Sequence, residues 1–385
     1  MSEKVAIVGV GHTAFRSISP DVSFKELMYE AAVKAYDDAG VDPRKDIDSF
    51  VCLAEDFLEG RSISDIHMPD QIGAVLRPVH TICADGIYGL IAAYMQIRTG
   101  QMDIIAVEAH SKASNLLTPD WCLAFALDPV LNRPLGQNAH FVAGMEMNRY
   151  LHDSGTTKEQ CALVSVKNRM NALSNPSAAY SAQITVEDVL NSEMMFYPLS
   201  RLDMAPLADG AIVMVLASEE KAKSLSQRPV WVKGVGWCSD SPSLETREWG
   251  QAVYAELAAQ MAYRMARMKN PREEIDLVEV DDSLSFKELQ HLEALGLCRK
   301  GEAGAMVEEG ATQKGGELPT NLSGGNLGVG HLGEASGLQR ALEIVLQLRG
   351  EAGRRQLPHA ETGLAQSWRG IPTTSGAVII LSRKE

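Results

Sequence analysis

The chain has 385 residues, 45% hydrophobic and 22% charged, with a formal net charge of −14 at pH 7. That length suits two domains or two closely packed halves, and the acidic balance excludes a nucleic-acid partner, which needs a basic face. No apolar run approaches the roughly 20 residues that span a bilayer, and the six cysteines and nine histidines include no CxxC pair and no HExxH cluster, so a reduced, cytoplasmic, metal-free chain is expected.

Residues 5–10 form an apolar run that predicts a buried strand, with no signal peptide ahead of it. Gly9 and Gly11 lack the third glycine of a dinucleotide fingerprint, and the next helix begins only near Ser23. Ser23 and Glu26 make a capping-box pattern. Phe24, Leu27, Met28, Ala31, Ala35 and Tyr36 keep helical spacing behind it, and Gly40 closes the helix. A second strand is predicted at 46–52, a helix at 87–98 and a strand at 103–108. This alternation indicates an α/β layered domain. The pattern then breaks into an insertion, about 109–204, with helical pieces near 138–153 and 158–171; insertions this long are usually functional. A Pro206–Gly210 turn, read as structural, leads into a strand at 212–217. The second half repeats the first: a strand at 231–235, a helix at 252–268, a strand at 274–280 and a terminal strand at 377–382. The runs at 46–52 and 274–280 both follow a helix and a Pro-containing loop, Asp42-Pro43 and Asn270-Pro271.

Two loops carry chemistry. In His80-Thr-Ile-Cys83-Ala-Asp-Gly86 a cysteine occupies a turn before the helical run Ile87, Leu90, Ile91, Tyr94 and Met95. A helix N-terminus offers partial positive charge and free N–H groups, which favour a thiolate nucleophile. Far along the chain, Gly328-Val-Gly330-His331-Leu-Gly333 is glycine-dense, carries one histidine and precedes another helical run, Leu338 to Leu348. A cysteine and a histidine distant in sequence but adjacent in the fold are the expected nucleophile–base arrangement.

These loops resemble the nucleophile loop and the Gly-His-Pro-x-Gly loop of the thiolase superfamily, with Leu332 where the proline is usual. The resemblance covers the whole chain. It is closest to the sterol-carrier-protein-X-like and archaeal branch and, more narrowly, to the thiolase subunit of the two-subunit benzoylsuccinyl-CoA thiolases. It implies the thiolase fold: a duplicated α/β/α/β/α five-layered sandwich with a long inserted loop domain. The halves would be 1–222 and 223–385, with the insertion covering the active site. It implies thiolytic cleavage of a 3-oxoacyl-CoA through an acyl-cysteine, with benzoylsuccinyl-CoA giving benzoyl-CoA and succinyl-CoA as the best match. Coenzyme A would be a substrate, and this chain would bind no cofactor.

By the same resemblance Cys83 is the nucleophile. His331, in its loop with Gly330, activates it and lines an oxyanion hole. Gly376 lies near the backbone N–H that meets the thioester oxygen. Ser367, Trp368, His140 and Phe141 are candidates for touching substrate. Arg169 and Arg201 would pair with a substrate carboxylate or serve as structural ion pairs. Two positions depart from the family. Asp281 stands where an Asn or His usually supports the enolate, so its carboxyl must be protonated, turned away or holding a water. The second, acid–base cysteine is missing, which leaves Ser367, Asp281 or His331 to move the proton.

The resemblance further implies a homodimer core joined by a small partner with a zinc ribbon and an oligonucleotide-binding-like fold, zinc being confined to that partner. Two other readings are a retro-aldolase on this fold, which retention of Cys83 opposes, and a non-catalytic scaffold subunit.

Overall fold

The computed structural model describes residues 4–55, 64–136, 138–371 and 374–385. Its main sheet contains β1 (Val5–His12), β2 (Ser49–Leu53), β3 (Val79–Ile82), β4 (Ile104–Lys112) and β5 (Asp209–Ser218), then β6 (Val230–Ser239), β7 (Leu277–Glu279), β8 (Thr362–Arg369) and β9 (Ser375–Ser382). The order is β3-β2-β4-β5-β1-β6-β9-β8-β7. From the centre outward, β1-β5-β4-β2 pair antiparallel, antiparallel and parallel. β6-β9-β8-β7 repeat that series. A parallel bridge from Val278 to Thr320 stands where β3 stands in the first copy. The two copies join through Ala6 and Ile7 against Trp231 and Val230. The duplication expected from the sequence is therefore present, although β4 runs four residues beyond the predicted start of the insertion, because its outer end pairs with β5 as far as Asp209.

The principal helices are α1 (Phe24–Ala39), α2 (Gly86–Arg98), α3 (His140–Ser154), α4 (Lys158–Ala172), α5 (Val253–Ala266), α6 (Ser285–Ala294), α7 (Gly325–Val329) and α8 (Ser336–Arg349). Helix α1 starts as predicted, with the Ser23–Glu26 capping box formed in both directions. Side chains alternate across each strand, and that alternation sorts the core into layers. Ile7, Val107, Ile379 and Leu381 pack with Leu90 and Ile91 of α2 and Leu338 and Ile344 of α8. On the far side of the first half-sheet, Ala6, Val8 and Ala106 face α1. On the far side of the second, Val378 and Ile380 face Ala255 and Ala258 of α5. The result is outer helix, half-sheet, the α2–α8 pair, half-sheet, outer helix. Each fully buried Leu or Ile in these layers contributes about 1.5–3 kcal/mol.

The insertion is held to the second half by buried polar pairs. Glu146 of α3 meets Lys287 of α6. On α4, Lys167 pairs with Glu288 at 2.7 Å, and Asn168 donates to Asp282 at 2.7 Å. Among the described residues no helix is long and apolar enough to cross a membrane.

The two central helices meet at their N-termini, backbone against backbone. A Cβ on Gly86 would lie 2.4 Å from the Leu338 nitrogen, and one on Gly337 would lie 1.7 Å from Asp85 Oδ1. Gly337→Ala is therefore expected to cost about 1–3 kcal/mol in urea unfolding. Gly315→Ala, at a position with open space around it, should stay within about 0.5 kcal/mol. Equal effects at the two sites would show that the helix approach carries no special constraint.

Candidate active site

Strands β2 and β3 are parallel neighbours, with Leu53 opposite Ile82. The chain leaves both at their carboxyl ends, where ligand sites of open α/β sheets form. Glu55 follows one strand and Cys83 the other. Cys83 is exposed, and its thiol donates to Glu55 Oε1 at 3.7 Å. Arg369, the last residue of β8, reaches the same point from the second half. Its Nη2 lies 3.8 Å from the Cys83 sulfur, its Nη1 donates to the Cys83 carbonyl, and it forms an ion pair with Glu55.

The His331 loop is bound to the end of the insertion. The His331 N–H donates to the Pro206 carbonyl at 2.8 Å, and the Ala208 N–H donates to the His331 carbonyl at 2.9 Å. Gly330 has φ +104°, and a Cβ there would lie 2.5 Å from Ala208 Cβ, so glycine meets both demands. Leu332 donates its N–H to Ser336 Oγ at 3.0 Å, a bond that the family's usual proline could not make. The Gly333 N–H donates to His331 Nδ1 at 3.1 Å. In the neutral ring the proton then sits on Nε2. Burial lowers the pKa of His331 below its ordinary value, so at neutral pH the ring offers an N–H donor and no second acceptor.

One buried cation connects the two loops. Arg340 of α8 is fully buried, pairs with Asp281 and lies 3.7 Å from Asp85 Oδ2. Asp85 is the N-cap of α2 and accepts the Ile87 N–H at 3.3 Å. Burial pushes its carboxyl up to about 6, against the opposing pull of Arg340. For Asp281 burial also opposes ionisation, but Arg340, His291 and His331 outweigh it and hold its pKa below the ordinary value. The other Asp281 oxygen accepts the Ser283 N–H at 2.9 Å. Of the alternatives open to Asp281 in the sequence, its depressed pKa and its pairing with Arg340 fit a carboxylate that does another job, balancing a buried cation.

The remaining candidates divide. Ser367 shares the inward face of β8 with Ala365 and Arg369, beside Asp85. Trp368 lies on the opposite face, in the outer cluster. Its ring packs over Lys287, 4.2 Å from the centroid, and edge-on to His291. The ring thus packs in the outer layer, on the side of β8 away from Ser367 and Arg369. Gly376 accepts from Tyr88 Oη at 3.1 Å, which ties it to the first turn of α2. His140 opens α3 with its N–H bonded to Asn138 Oδ1 at 2.9 Å. Phe141 packs in a separate small cluster with Trp249 and Ile371. Arg169 is buried beside Asp282, and Arg201 forms an exposed pair with Glu193 at 2.6 Å.

The sequence reading missed Glu55, Arg369 and Arg340. A charged residue directly past a buried strand marks Glu55, and same-face parity with Ser367 marks Arg369. Arg340 lies three residues after Gly337 and four before Ile344, inside the apolar stripe of α8. Arg340→Met leaves two buried acids without a cation and is expected to cost about 3–5 kcal/mol in chemical unfolding, with part recovered in the Arg340→Met/Asp281→Asn double variant. Because Asp281's folded pKa is depressed, its contribution is present above about pH 4 and lost as pH falls. That acid-side loss should be seen in the wild type and be absent from Arg340→Met.

Residues 238–383 match the family described as thiolase C-terminal domain-like. The chain is 36% identical to an acetyl-CoA acetyltransferase of Methanothermobacter thermautotrophicus, over 98% of this chain and 99% of that one. It is 30% identical to sterol carrier protein 2 of Oryctolagus cuniculus, over 94% of this chain and 69% of that protein. The solved Ltp2-ChsH2(DUF35) aldolase superposes with a TM-score of 0.84 at 26% identity, over 99% of this chain and 98% of that one. Whole-length identity of this order, on a fold duplicated in the same manner, means that the chain belongs to the thiolase superfamily, in its sterol-carrier-protein-2-like branch, and is an enzyme of the acyltransferase class.

Proposed function

We propose that this enzyme cleaves a 3-oxoacyl-CoA thiolytically through an acyl-Cys83 intermediate. One observation carries the reading: the loops of Cys83 and His331 precede two helices whose N-termini touch, Gly337 against Asp85. Cys83 attacks the 3-keto carbon, and the C2–C3 bond breaks to give an acyl-enzyme and a CoA-thioester enolate. The Nε2–H of His331 is a donor suited to an oxyanion formed on this path. Coenzyme A then takes the acyl group from Cys83. Residues 1–222 and 223–385 act as two halves around this centre, with the 109–204 insertion as cover; Ile371, two residues past Arg369, packs against the insertion's small cluster of Leu127, Ala139 and Val142, which supports that role. The acyl-CoA we assign is benzoylsuccinyl-CoA, giving benzoyl-CoA and succinyl-CoA in anaerobic toluene degradation in the cytoplasm, on whole-chain resemblance rather than any one residue. Similarity to an acetyl-CoA acetyltransferase supports acetoacetyl-CoA as the competing substrate.

Similarity to the Ltp2-ChsH2(DUF35) aldolase supports a second reading, retro-aldol cleavage of an acyl-CoA. It also supports a DUF35-type partner; by the family resemblance we further propose a hetero-oligomer in which a homodimer of this chain carries that partner, which would hold any zinc and help bind CoA. Full activity and tight CoA binding by this chain alone would remove the partner.

Brief incubation with benzoylsuccinyl-CoA or acetoacetyl-CoA, with and without the partner, followed by peptide mass spectrometry, tests both readings. A benzoyl adduct on Cys83, absent from Cys83→Ala, is expected. An acetyl adduct alone would keep the thiolase and remove the aromatic substrate. No adduct from either compound with the partner present would favour the aldolase.

A further inference from the structure

We infer that Glu55 is the acid–base residue of this active site, taking the proton of Cys83 and returning it to the leaving enolate, with Arg369 holding both groups. The inference rests on the thiolase reading above and assigns the proton path that reading leaves open.

The family's second cysteine is missing from the Leu364–Gly370 segment, so the proton needs another carrier. His331 is unsuited to the first transfer. Its Nδ1 already accepts the Gly333 N–H, which puts the ring proton on Nε2, and burial keeps the ring neutral. A neutral imidazole in that tautomer has no lone pair left for a thiol proton. Asp281 is ionised but engaged by Arg340 and by the Ser283 N–H. Glu55 is likewise ion-paired, with Arg369, but its Oε1 accepts directly from the Cys83 thiol at 3.7 Å.

Arg369 makes the transfer electrostatically even. Its guanidinium pairs with Glu55 and lies 3.8 Å from the sulfur. Before transfer the cation faces a carboxylate and a thiol; afterwards it faces a carboxylic acid and a thiolate. The net charge of the three groups does not change, so no new charge must be solvated.

The steps balance. The S–H proton passes to Glu55 as the sulfur–C3 bond forms. The C2–C3 bond breaks, its electron pair stays on C2 as the thioester enolate, and the Glu55 O–H proton goes to C2. In the second half Glu55 takes the proton of the CoA thiol, CoA sulfur attacks the acyl carbon, and the departing Cys83 thiolate takes that proton back. C2 is one bond from the atom that sulfur attacks, so a group in hydrogen-bond reach of sulfur is within reach of it.

The test is single-turnover acylation of Cys83 by acetoacetyl-CoA and by benzoylsuccinyl-CoA across pH, alongside iodoacetamide labelling, on the full chain with its partner. Glu55→Gln should slow acylation by about 100-fold or more and abolish the acid limb of its pH profile. Iodoacetamide labelling should persist, with its inflection moved to lower pH, because the negative charge beside the sulfur is gone while Arg369 stays 3.8 Å from it. Arg369→Gln should do the reverse, slowing labelling at pH 7 because an unpaired carboxylate holds the thiol proton. Glu55→Asp should restore part of the acylation rate. Acylation of Glu55→Gln within threefold of wild type, or an unchanged pH profile, overturns the inference and leaves the thiolase reading standing. Failure of the wild type to acylate from either compound overturns both.

Discussion

Everything at the centre of this protein depends on two helix N-termini meeting at glycines, with a buried guanidinium shared by the acids on either side. Gly86 and Gly337 allow the approach, and Arg340 spans from the cap of α2 to Asp281. A buried charge persists only when paired, so the geometry of the two halves is fixed by electrostatics as well as by apolar packing. The first half alone would leave Asp85 without its cation, since Arg340 comes from the second.

The departures from the family pattern become intelligible in this setting. Leu332 gains a backbone bond to Ser336 that a proline would forfeit. Asp281 tolerates ionisation because Arg340 meets it. His331, with Nδ1 occupied by Gly333, becomes a donor. A site whose histidine donates must find its proton acceptor elsewhere, and the thiol of Cys83 donates to Glu55. The insertion contributes from a distance: Glu146, Lys167 and Asn168 place its helices against α6 and the Asp282 that precedes it. Buried polar pairs of this kind fix register, because any shift would strand a charge.

Much of this was legible in the residues. The strands at 5–10, 212–217 and 377–382 and the Ser23–Glu26 cap follow from local pattern, since apolar period and capping chemistry act over a few residues, while the duplication was legible only with the resemblance to the thiolase superfamily. Cys83 and His331 stood out because each sits in a loop poor in packing residues, directly before a helix. The side of the strand that Trp368 takes was not legible locally, because it depends on register with β9 and β7.

By itself the sequence determined the layers, the duplication, the two chemistry-bearing loops and the family. Only the tertiary structure decided which charges face each other. Glu55 meets Cys83 because β2 and β3 pair in parallel with Leu53 opposite Ile82. Arg369 reaches them from residues more than 280 positions away, and Arg340 chooses Asp281 and Asp85 across the helix junction. Such partnerships are set by long-range pairing and by the cost of leaving a buried charge alone, and neither is written in any local stretch of the chain.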